Sequence, residues 1–258
     1  MSLSSSPCLE SVLEFLPLVE MTRNASVNKE WKMAASASPL AFLDTVGLSI
    51  SPSRLFQMIQ QHSHSLVVVR VSLPENQINE FVCKILSLIP EKMKSLKQLV
   101  ILPALRDGSV FLNLQALSEI DRFTPFSQSA CGLESLVIGC NPSFPATRKL
   151  IQQAAPTLIS LAFLNGCESL FSSESQLSDF LTQTLCIESL TCLHLGACNP
   201  VIDMDPVISQ LLFRARSLGY IQWSGCGASI DMMKSLVESK RIRCAFEGIG
   251  FLSLLLGI

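Results

Sequence analysis

A chain of 258 residues with 19 basic and 21 acidic side chains is nearly neutral, at −2, and is 16% charged against 48% hydrophobic. At this length roughly 70–75% of the surface exposed on unfolding can be buried, and low charge with high hydrophobicity excludes disorder over most of the chain. A nucleic-acid role driven by phosphate neutralisation needs a basic excess that is missing here.

Residues 1–10 have no basic start and no long apolar run, so no signal peptide is expected. Residues 7–43 read as short helices. Leu9, Val12, Leu13 and Leu16 share one face, Pro17 breaks it, and Met21, Ala25, Trp31, Ala34 and Ala35 follow. Beyond them one phrase recurs, Leu-x-x-Leu-x-Leu with apolar replacements. Its copies are Leu43-Val46-Leu48, Leu66-Val69-Val71, Leu96-Leu99-Ile101, Leu133-Leu136-Ile138, Leu158-Leu161-Phe163, Leu190-Leu193-Leu195 and Leu218-Ile221-Trp223. Successive starts lie 23, 30, 37, 25, 32 and 28 residues apart. A phrase this short reads as a strand, and helical spacing follows it. Ile78, Phe81, Val82, Ile85, Leu86 and Ile89 form a stripe that stops at Pro90, and Leu150, Ile151 and Ala154 form one that stops at Pro156. Ser175 precedes Leu177, Phe180, Leu181 and Leu185. Asp205-Pro206 predicts an N-cap with proline at the first helical position, ahead of Ile208, Leu211 and Leu212. Ile230, Met233, Leu236 and Val237 make a last stripe, and the uncharged residues 248–258 are expected to close the final unit.

Strand, turn and helix repeated about seven times is the pattern of a solenoid, in which one unit cannot bury its own apolar face and stacking makes a shared core. Cysteines fall at a recurring place after the strand, Cys140, Cys167, Cys198 and Cys226. This pattern resembles the cysteine-containing class of leucine-rich repeats, where a small buried thiol occupies the turn. The resemblance implies an α/β solenoid over 43–258, with parallel strands on the concave face and helices outside. Ten cysteines without a C-x-x-C pair point to structural thiols in a reduced compartment rather than a metal site or a disulfide framework.

Upstream, Phe15-Leu16-Pro17-Leu18-Val19-Glu20 followed by Val27-Asn28-Lys29-Glu30-Trp31 and Ala34 resembles an F-box, in the place such a unit takes before leucine-rich repeats. The resemblance covers roughly residues 6–45 and implies a small all-α unit, 1–42, that docks the adaptor of a cullin–RING ubiquitin ligase of the SCF type. Leu9, Val12, Leu13, Phe15, Leu16 and Pro17 are the adaptor-facing candidates, since apolar anchors carry association energy. Val27 is open to either role, and Trp31 is expected inside the unit. The other reading of these residues is a helical cap on the first repeat, in a protein-binding scaffold with no part in ubiquitin transfer.

Strand side chains alternate, so the residues between the leucines face the concave side: Val68 and Arg70, Gln98 and Val100, Ser135 and Val137, Ser160 and Ala162, Cys192 and His194, Tyr220 and Gln222. Small and uncharged for the most part, this face suits a protein target, and Arg70, His194, Tyr220 and Gln222 are the substrate-binding candidates. No Gly-x-Ser-x-Gly elbow, phosphate-binding loop or His-Glu-x-x-His helix occurs, so no enzyme, metal or cofactor is expected. The longest stretch free of charged side chains, 150–167, holds Gln152, Gln153, Pro156 and Asn165 and is no membrane span. The expectation is a cytoplasmic or nuclear protein, monomeric within a complex and in contact with neither nucleic acid nor membrane.

Overall fold

A computed structural model describes residues 40–46, 50–104, 132–139, 145–185, 187–225, 227–238 and 243–247. The architecture is mixed α/β, with parallel strands separated by helices. The chain divides into two compact units, the described residues up to Leu133 in the first and those from Glu134 onward in the second. The adaptor-facing candidates at 9–17 and the closing segment 248–258 lie outside the described residues.

In the first unit β1 (Phe42–Asp44), β2 (Val68–Leu73) and β3 (Gln98–Pro103) pair in parallel in chain order. Helix α1 (Pro52–His62) joins the first two strands and α2 (Glu75–Leu88) the next two. Ile78, Phe81, Val82, Ile85 and Leu86 of the α2 stripe are buried as their spacing requires, whereas Ile89 is the partly exposed C-cap, and the helix ends before Pro90. Helix α1 has no counterpart in the sequence reading. Pro52 opens it, and Leu55 and Ile59, one turn apart, are its buried residues. Register also moves the first copy of the phrase. Leu43 pairs with Val69 rather than standing opposite Leu66, so the copy runs Leu40-x-x-Leu43-x-Thr45, all three residues being 2% exposed or less. Thr45 stands where an aliphatic residue stands elsewhere, and its hydroxyl and N–H both donate to the Arg70 carbonyl oxygen, at 3.3 and 2.9 Å. Burying a hydroxyl is tolerable because that bond is made.

In the second unit β4 (Ser135–Ile138), β5 (Ser160–Phe163), β6 (Cys192–Leu195), β7 (Tyr220–Ser224) and β8 (Arg243–Glu247) follow one another in the same parallel way. The leucine positions fall in phase. Leu136, Leu161, Leu193 and Ile221 form one buried row, and Ile138, Phe163, Leu195 and Trp223 form the next. Between strands lie α3 (Pro145–Ala154), α4 (Glu174–Asp179), α5 (Met204–Arg214) and α6 (Ile230–Glu238). Strand β8 lacks the leucine phrase, and Cys244 and Phe246 take the register positions beside Ile221 and Trp223.

Two further differences are local. The cap of α5 is Asp203, whose carboxylate accepts from the Asp205 N–H at 3.0 Å, and not Asp205, whose carboxylate accepts from the Ser229 N–H at 2.7 Å in the following loop. Helix α4 starts at Glu174, one residue before Ser175, with Ser173 as its N-cap. It then widens into a π-helical segment, Phe180–Thr184, closed by the Leu185 N–H bonding to the Phe180 carbonyl at 3.2 Å.

The turns after the strands stack as well. The N–H groups of Cys167 and Glu168 donate to the carbonyls of Gly196 and Ala197, and that of Cys198 to Ser224, at 3.2, 2.8 and 2.7 Å. Gly196 is required here, because a Cβ on it would lie 2.2 Å from the Leu164 carbonyl oxygen. Gly225 adopts a φ of +88°, in the left-handed region where a side chain is strained. Cys167 and Cys198 sit in these turns at 1% and 3% exposure, outside any disulfide, and the Cys198 thiol donates to the Leu195 carbonyl at 3.3 Å. They act as small apolar fillers. Cys140 and Cys226 lie outside the described residues. Among the described residues no group of three or more His, Cys, Asp and Glu side chains could hold a metal ion, and no helix is long and apolar enough to cross a membrane.

Candidate functional site

Strand alternation puts the intervening residues on one face of each sheet, as expected, but that face is not open to solvent. Val68, Gln98, Val100, Ser135, Val137, Ser160, Ala162, Cys192, His194, Tyr220 and Gln222 are each at most 4% exposed. This face, expected to receive a protein target, is thus closed to solvent at all of these positions. Of the four substrate-binding candidates, only Arg70 is partly accessible. Its guanidinium donates through Nε and Nη2 to Gln98 Oε1, at 3.3 and 2.9 Å. The signal was the composition of these positions, small and uncharged, which fits burial as well as it fits a docking surface.

In the second unit the structure brings His194, Tyr220 and Gln222 together. His194 pairs in register with Gln222 across β6 and β7, and the Tyr220 hydroxyl donates to Gln222 Oε1. Burial pushes the His194 imidazole down to about 4, and a side-chain hydrogen bond with Gln222 opposes that shift. The ring is therefore neutral at physiological pH. Its Nδ1 and the Ser160 hydroxyl are both buried without a hydrogen-bond partner among the described residues. These residues make a buried polar patch inside the fold, and among the described residues His194 belongs to no group of three or more His, Cys, Asp and Glu side chains that could hold a metal ion.

Clefts open elsewhere among the described residues. In the first unit a hollow of about 190 Å³ lies between α1 and α2, lined by Phe56, Gln77, Glu80 and Lys84 among others. Its lining is tied together, since Lys84 Nζ meets Glu80 at 2.6 Å and sits 5.7 Å from the centre of the Phe56 ring. In the second unit a larger, shallow cleft of about 560 Å³ runs between α3 and the segment from Glu168 to Thr184. Its open lining is mostly polar, with Phe180 and the buried Phe171 as its aromatic residues. Phe180 is half-buried, with its ring centre 5.1 Å from that of Phe171 and 6.4 Å from that of Phe163, both contacts tilted. Its rim is polar, with Arg148, Glu168 and Asp179 exposed. Sequence reasoning missed this cleft because it depends on the widened turn at 180–184, which leaves no mark in the spacing of Leu177, Leu181 and Leu185.

No family model matches the chain, and no curated protein matches it.

Proposed function

We propose that the chain is a leucine-rich-repeat protein of the cysteine-containing type that holds a partner polypeptide, and that residues 1–42 form an F-box-like unit docking it to the adaptor of an SCF-type ubiquitin ligase. The observation that carries the repeat half is register. Within each unit the phrases pair strand by strand in chain order, with their leucine positions aligned. Strand–helix–strand connections are right-handed in about 98% of cases. A sheet whose order follows the chain then carries its helices on one side, which is the plan of such a solenoid. The buried turn thiols Cys167 and Cys198 support the cysteine-containing type.

Support for the adaptor half is the phrase Phe15-Leu16-Pro17 with Val27-x-Lys29-x-Trp31 directly before the first repeat. On this reading the chain is no enzyme. It joins a target to a catalytic assembly as a monomer within the complex, in the cytoplasm or the nucleus. The test is co-purification of the full chain with the adaptor. Leu13→Asp and Leu16→Asp should abolish recovery while leaving the thermal midpoint unchanged, and recovery equal to that of the unaltered chain would remove the docking claim.

A further inference from the structure

The strand face that would ordinarily receive a partner is buried, so an accessible seat has to be sought elsewhere, and the 560 Å³ cleft of the second unit is the larger of the two openings described above. Three features of it converge. The first is its irregularity. The units on either side use α3 and α5, ten and eleven residues of continuous α-helix, whereas this one breaks into a 3₁₀ turn, a six-residue α-helix and a π-helical segment. Such widened turns concentrate at functional sites. The second is the half-buried Phe180 ring, held in place by its contacts with Phe163 and Phe171. A ring fixed in this way loses little entropy when something settles on it.

The third is charge. Glu168 and Asp179 stand on the rim, where Arg148 is the single cation among the described lining residues. Arg148 and Glu168 carry no ion pair among the described residues. Asp179 accepts one hydrogen bond, through Oδ1 from Gln183 Nε2 at 3.1 Å. Two carboxylates beside an aromatic face suit a cation, which the ring attracts through its quadrupole and the carboxylates through their charge. Arg148, at the same rim, disfavours a second cation beside the first and suits a carbonyl or a carboxylate of the same partner.

We propose that this cleft is a docking seat for a partner polypeptide, which lays an arginine or lysine side chain on Phe180 between Glu168 and Asp179 and an adjoining aliphatic residue against the edge of the same ring. The proposal rests on the reading that the chain binds a polypeptide, and it is independent of adaptor docking.

The test uses the full chain and a fluorescein-labelled short peptide with one arginine between two leucines, followed by fluorescence anisotropy. Saturable binding is expected, weakened about tenfold when glutamate replaces the arginine, the change that loss of one desolvated cation contact brings. Glu168→Lys with Asp179→Lys should weaken the arginine peptide by about tenfold or more. Asp231→Lys with Glu238→Lys, the same change of net charge on α6, should leave its affinity as it was. Far-UV circular dichroism checks that each variant is folded, and Glu168→Lys alone replaces the double variant if that one is not. Equal affinity for the two peptides, undiminished binding by the rim variant, an equal loss in the α6 variant, or no saturable binding would each overturn the proposal. Failure here with adaptor recovery intact removes the seat and leaves the ligase reading standing.

Discussion

His194 combines a polar ring with a position almost closed to water, and that combination fixes a pH dependence. Its folded-state value, about 4, lies below the 6.5 of an exposed imidazole, so the unfolded chain binds the extra proton first as pH falls. Stability is then full above pH 6.5 and is lost as the pH drops toward 4. A tenfold difference in proton affinity between the folded and unfolded chain is worth about 1.4 kcal/mol, so the loss amounts to roughly 3 kcal/mol. Urea denaturation at a series of pH values should show this slope, and His194→Asn should flatten it. His62 shifts downward too, from burial and then from the nearby His64, so a smaller slope of the same sign persists in that variant. Gly196 gives a second prediction at this scale. A methyl group there meets the Leu164 backbone at 2.2 Å, a clash that only backbone movement relieves. Gly196→Ala should cost about 2–4 kcal/mol in denaturant melts, the range of overpacking and backbone strain combined.

At the scale of elements, the reliable signals are those repeated along a stripe. Helix α2 and the strands β2 to β7 sit where their periodicity puts them, because several residues vote for each. Where few residues vote, sequence and structure part. Helix α1 rests on Leu55 and Ile59, too short a stripe to stand out. The first copy of the phrase lies three residues earlier than its leucines suggest, because Thr45 fills an aliphatic slot. The start of α5 differs from expectation because two aspartates lie in reach and proline favours the nearer one. Asp203 is the cap and Asp205 the tie to the next turn. Asp203→Ala should therefore cost about 1 kcal/mol, as loss of an N-cap does. Leu177→Ala, at a residue with no exposure on α4, should cost about 2–5 kcal/mol. Both are measurable by thermal denaturation.

For the whole molecule, the candidate site divides into a legible part and a hidden one. That His194, Tyr220 and Gln222 would be neighbours followed from the phase of the phrase alone. That they would be buried did not, because alternation tells which face a residue takes and not whether that face is covered. The outer cleft was hidden for a different reason. It comes from a change in helix type among Phe180, Leu181 and their neighbours, and from residues as far apart as Arg148 and Thr184. A chain lacking residues 1–39, which keeps the buried Leu40 of the first phrase, should still bind the arginine peptide while losing the adaptor. If the deletion abolishes peptide binding in a folded protein, the two functions are not separable in the way proposed.

The central claim, that each phrase lies beside its predecessor as the next rung, is tested most directly by methyl nuclear Overhauser spectroscopy. Adjacent parallel strands stand about 4.8 Å apart, so methyls on neighbouring rungs exchange magnetisation while those three rungs apart, at about 14 Å, do not. The account predicts cross-peaks linking Leu136 to Leu161, Leu161 to Leu193 and Leu193 to Ile221, and none linking Leu136 to Ile221. A direct Leu136–Ile221 cross-peak, or a missing link in the middle of that staircase, would contradict it.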